Sequence, residues 1–104
     1  MDRAVGLIEV YGLAAAFAAC DAGCKAGDVT VEPFDRNKPA YADTLPVPLL
    51  VTVKFRGAVA DVQAAIEVAD IAAKAVSGVV CTHIIPNVEP GIEPMLALSG
   101  FDRS

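Results

Sequence analysis

The 104-residue sequence contains no tryptophan, a single histidine and three cysteines, and only 6% of its residues are aromatic. Each shortage excludes something. Cys20, Cys24 and Cys81 are an odd number, and the opening MDRAVG lacks the basic-then-apolar pattern of a secretory signal. Reduced thiols in a cytoplasmic protein are therefore expected, not a disulfide framework. Asp21, Lys25 and Asp28 break the first candidate for a long apolar run, well short of the roughly 18–20 residues a membrane span needs. Basic residues are also scarce: eight Lys and Arg stand against thirteen Asp and Glu, for a formal net charge of −5. That balance argues against a nucleic-acid partner, which calls for clustered Lys and Arg. No glycine-rich phosphate loop of the Walker or dinucleotide type occurs; Gly6, Gly12, Gly23, Gly27, Gly57 and Gly78 follow element boundaries.

What the chain has in excess is apolar side chains, 55% of residues against 20% charged. In one domain of this size, a surplus of that kind points to contacts between subunits. Residues 5–11 alternate, with Ile8 and Val10 on one face and Leu7 and Glu9 on the other, as in a half-buried strand. Gly12 ends it. Leu13, Phe17, Cys20 and Cys24 then recur at spacings of four, three and four, which predicts a helix buried along that stripe; Asp21 and Lys25 form an exposed pair beside it. Val29 and Val31 mark a second strand that Pro33 ends or pushes to an edge. Residues 35–48, DRNKPAYADTLPVP, read as a long proline-rich loop.

Leu49, Val51, Val53 and Phe55 share one face of a third strand, with Thr52 and Lys54 on the other. After Arg56 and Gly57, a second helix has Val59, Val62, Ile66, Ala69, Ala73 and Val76 as its buried stripe, opposite Gln63, Glu67, Asp70 and Lys74. Val79 to Ile85 makes a fourth strand stopped by Pro86, and a short helical tail follows around Met95 to Leu98. The order βαββαβ predicts an α/β (α+β) fold of the ferredoxin-like kind: a four-stranded antiparallel sheet with two main helices and a short C-terminal helix.

Cys20 and Cys24 have metal-ligand spacing on a helix, with Cys81 as a conceivable third ligand, but their place on the apolar stripe favours packing as small hydrophobes. No metal is expected. His83 lacks a Cys, Ser or Asp at a recognisable catalytic spacing, so no catalytic residue is assigned. Two rival functions share the element order. One is a ferredoxin-like regulatory domain sensing a small molecule, of the nitrogen-signalling or ACT-like kind; the other is a small enzyme using His83 with Cys81.

Three segments carry a resemblance: VGLIEVYGLAAAFAACDAGCKAGDV, VKFRGAVADVQAAIEVA and THIIPNVEP. Together they are similar to the single-domain, hexamer-forming shell proteins of bacterial microcompartments, the tiles of carboxysome and metabolosome shells. The resemblance implies one shell domain over 1–104 and a non-enzymatic structural role. It implies a homohexamer that tiles with other shell proteins around enclosed enzymes, with small metabolites passing through a central pore. Lys25 matches a lysine at hexamer edges, flanked by Asp21, and Asn87 stands where many members carry an arginine in that contact. Ala58 replaces a commonly acidic residue after the Arg-Gly turn. The loop corresponding to 35–48 lines the pore in this family, where it is a tight glycine-rich turn. Here it is longer, and Asp35, Arg36, Asn37, Lys38, Pro39, Tyr41, Asp43 and Thr44 become the candidate pore residues. Iron–sulfur clusters in related pores use loop cysteines; this loop has none, so no cofactor is implied.

Overall fold

The computed structural model of the chain describes residues 3–45 and 47–102. Pro46, inside the predicted loop, and positions 1, 2, 103 and 104 of the predicted domain lie outside the described residues. The elements run β1 (Ala4–Tyr11), α1 (Leu13–Ala26), β2 (Thr30–Asn37), β3 (Leu50–Gly57), α2 (Val59–Val76), β4 (Val79–Ile85) and α3 (Glu93–Leu96). The strands form one sheet in the order β2-β3-β1-β4 with antiparallel neighbours. The predicted ferredoxin-like fold is thus observed, with β2 and β4 as its edges.

Alternation decides which face of the sheet is covered. Ile8 and Val10 of β1 and Val51, Val53 and Phe55 of β3 are fully buried in one cluster with Val62, Ala65, Ile66 and Ala69 of α2. Each large apolar side chain buried there contributes about 1.5–3 kcal/mol. Both long helices therefore lie on this face. Gly6 permits the close approach of α2, since a Cβ there would meet Val62 Cγ1 at 2.6 Å.

The buried face of α1 differs from the predicted one. Ala15, Ala16, Ala19 and Gly23 face inward, whereas Leu13, Phe17 and Cys24 are exposed and Cys20 is half-buried. Both sets satisfy helical spacing, so periodicity alone could not separate them. Size separates them. The alanine and glycine face lets α1 pack closely beside α2, which turns its own Ala65, Ala69 and Ala73 inward. A Cβ on Gly23 would sit 2.4 Å from the Phe55 ring, so the helix rests on that ring where no side chain intervenes. Phe17 instead packs at the surface against Phe34, ring centroids 5.2 Å apart. At the ends of α2, Val59 and Val76 are likewise exposed, not buried as predicted.

β2 is longer than predicted. Pro33 does lie on an edge strand, but it is accommodated by a register shift between Glu32 and Asp35, and pairing resumes as far as Asn37 with Leu50. The connection between β2 and β3 therefore starts at Lys38. It holds a 3-10 turn at Ala42–Thr44, pinned by buried Ala42.

Candidate functional site

Topology sorts the candidate residues to two ends of the sheet. Tyr11 pairs with Leu50, Leu50 with Asn37, and the Gly12 N–H donates to the Leu49 carbonyl at 2.8 Å. This end carries the whole 38–49 connection. At the opposite end Ala4 pairs with Gly57, Val5 with Ile85, and Asp28 abuts Gly57. α1 starts at the loop end and returns over 14 residues to the other, a rise of about 21 Å. Lys25 therefore lies at the same end as Asn87, which follows β4.

At that end Lys25 Nζ meets Asp21 Oδ2 at 2.8 Å, with both side chains largely in solvent. The Asp21 carboxylate raises the Lys25 pKa above its ordinary value, keeping it charged. An exposed pair of this kind adds little to stability. Its chemistry is available to a neighbour. Asn87 is exposed, and the chain beyond it is anchored where the Val88 N–H donates to the Arg3 carbonyl at 2.9 Å.

At the other end, Lys38, Tyr41, Asp43 and Thr44 are exposed and Pro39 is half-buried. The turn is internally bonded: Ala42 N donates to Pro39 O at 3.0 Å, and Thr44 donates to Tyr41 O through both N (3.0 Å) and Oγ1 (2.7 Å). Asp35, Arg36 and Asn37 stand apart from them, in β2. Asp35 Oδ1 accepts from Arg36 N and from Gly100 N, both at 2.8 Å. Arg36 Nε donates to Gly100 O at 2.9 Å, and its guanidinium lies 5.3 Å from the Phe101 ring centroid. Asp35 and Arg36 thus hold the C-terminal segment.

Three further side chains do the same and were not singled out in the sequence. Lys54 is only 4% exposed, yet its ammonium donates to Leu96 O at 2.9 Å and Leu98 O at 2.8 Å. Burial lowers its pKa, while the nearby Asp35 and Glu32 carboxylates pull the other way. Arg56 makes a two-pronged contact with Glu93 at 2.7 and 2.8 Å; this hydrogen bonding raises the Arg56 pKa and lowers that of Glu93. Ser99 Oγ adds a bond to Phe34 O at 2.6 Å. Because Val53 and Phe55 face the helices, Lys54 and Arg56 point to the other face, which the C-terminal segment therefore crosses.

Cys81 pairs with Glu9 and His83 with Leu7. Ile8 and Val10 face the helices, so Glu9, Leu7 and their β4 partners occupy the other face. Cys81 is thereby separated by the sheet from Cys20 and Cys24. His83 and Cys81 are both exposed on an edge strand.

Comparison with known proteins agrees with this architecture. The BMC domain family profile matches residues 4–88. The chain is 34% identical over 105 residues to carboxysome shell protein CcmK3 of Halothece sp. (strain PCC 7418), covering 99% of this chain and 94% of that one. It is 33% identical to bacterial microcompartment shell protein PduA of Salmonella typhimurium, covering 91% and 92%. A solved microcompartment protein from Desulfitobacterium hafniense DCB superposes with a TM-score of 0.70 at 29% identity. That match covers 93% of this chain but 48% of the other, about half its length. The chain therefore belongs to the BMC domain family of bacterial microcompartment shell proteins.

Proposed function

We propose that the chain is a structural, non-enzymatic shell subunit that forms a hexamer, tiles edge to edge with further copies and other shell proteins, and passes small metabolites through a pore on the six-fold axis. The observation that carries this reading is the segregation of the candidates: Lys25, Asp21 and Asn87 at one end of the sheet, and the 38–49 connection at the other. A tile needs that division, with one end on the rim and one on the axis. Its apolar surface supports assembly as well. Phe17 is 63% exposed, Ile71 70%, Met95 65% and Tyr41 61%, large apolar side chains that neighbouring copies would cover.

In this reading Lys25, released from Asp21 or sharing it, meets its symmetry mate across a two-fold axis, where isologous contacts repeat every donor and acceptor. Asn87 supplies a neutral amide beside it. Six copies of the connection bring Lys38, Tyr41, Asp43 and Thr44 around one channel, where alternating charge and hydrogen-bonding groups filter polar solutes. Asp35, Arg36 and Asn37 support that loop from the end of β2. Six chains carry six times the formal charge of −5, a field that favours some metabolites over others. The shell of a cytoplasmic compartment enclosing enzymes is the setting this implies.

Electron microscopy of the purified protein tests the reading. Wild-type protein is expected to give flat arrays, and Lys25→Ala hexamers that no longer tile. Arrays undiminished in Lys25→Ala would remove Lys25 from the edge contact.

A further inference from the structure

The structure changes the standing of the two helical cysteines. Buried among Leu13 and Phe17 they would be inert packing, but that stripe lies outside the helix–helix seam. Cys24 is exposed and Cys20 half-buried. As i and i+4 on α1 their Cβ atoms are about 5–6 Å apart, so the two thiols share the outward side of the helix. We propose that Cys20 and Cys24 together form a two-thiolate site for a soft monovalent cation of the copper(I) class, on the outer face of α1.

The chemistry follows from what surrounds the pair. A closed zinc site needs four ligands, and among the described residues no group of three His, Cys, Asp or Glu side chains is placed to hold a metal. Cys81 is on the far face of the sheet, and the Asp21 carboxylate is engaged by Lys25 at 2.8 Å. Two sulfurs and nothing else suit a soft cation that accepts low coordination, for which thiolates are the selective ligands. Binding is a simple exchange: one Cu⁺ forms two Cu–S bonds, the two thiols release two protons to solvent, and no electron is transferred. On binding, the metal displaces the thiol protons. The site shares its face of α1 with Phe17 and adjoins Lys25, so it rests on that face staying open in the assembly.

The test uses the purified protein, titrated anaerobically with copper(I) against a coloured copper(I) chelator. One copper per chain is expected in the wild type and in Cys81→Ser, and none in Cys20→Ser or in Cys24→Ser. X-ray absorption of the loaded protein should show sulfur scatterers alone in the first shell. Circular dichroism of the variants should be unchanged, because Cys24 is exposed and Cys20 only borders the core, where serine is close in size. Copper retained in Cys20→Ser but lost in Cys24→Ser would mean that Cys24 thiols of different chains bind it, which overturns the site. Loss in Cys81→Ser, or no copper held by the wild type, overturns it equally.

Discussion

Replacing Lys54 by Met removes the ammonium but keeps a side chain of similar length along the sheet. Nζ donates to Leu96 O and Leu98 O at 2.9 and 2.8 Å from a residue that is only 4% exposed. A hydrogen bond from a charged donor is worth about 1.5–3 kcal/mol, so two bonds set an upper bound of about 3–6 kcal/mol. Two effects reduce it. Desolvating the ammonium opposes the bonds, and its lowered pKa reflects that opposition. Leu98 is exposed and Leu96 half-buried, so water re-solvates the freed carbonyls in the variant. A net loss of about 1–2 kcal/mol follows, or a fall in Tm of about 5–10 °C for a domain of this size.

Thermal unfolding at fixed protein concentration measures it, since assembly makes Tm concentration-dependent. Hydrogen exchange localises it: the Leu98 and Gly100 amides should exchange faster in Lys54→Met, with β1 and β3 unchanged. An unaltered Tm with those amides still protected would refute the idea that Lys54 fastens the C-terminal segment.

Gly23→Ala gains up to about 1 kcal/mol of helix propensity, but the new Cβ would lie 2.4 Å from the fully buried Phe55 ring. Overpacking costs about 1–3 kcal/mol, so the variant should be less stable by about 1 kcal/mol in chemical denaturation, and a more stable variant would show that the ring yields freely. Arg56 holds the Glu93 carboxyl below its ordinary value of 4.5. The unfolded chain therefore binds more protons through the window beneath that value, so stability present above it is lost as the pH falls. Glu93→Gln should flatten this acid limb in pH-dependent melts, and an unchanged slope would remove the Arg56–Glu93 pair as its source.

The sheet was legible because its strands carry a signal that only one arrangement satisfies. In LLVTVKF, Val51, Val53 and Phe55 must share a face, and they do so with zero exposure. α1 was legible as a helix but not in orientation. An alanine-rich sequence offers two stripes of correct spacing, and the close packing of two helices selects the one with small residues. β2 runs past the expected loop start at Asp35, because an edge strand tolerates Pro33 by slipping register and pairing again. The hold on the C-terminal segment was invisible for another reason. Lys54 looks like any polar residue of an alternating strand, and its acceptors are carbonyls 42 and 44 positions away in sequence. The Asp21–Lys25 pair, by contrast, needed only helical spacing.

Native mass spectrometry of the purified protein, at near-physiological ionic strength, tests the assembly directly. The dominant species should have six times the 10.7 kDa chain mass, with larger species in whole multiples of that hexamer. A stable dimer or trimer with no six-fold species would contradict it, and would return the fold to the small-molecule-sensing role that the same element order also serves.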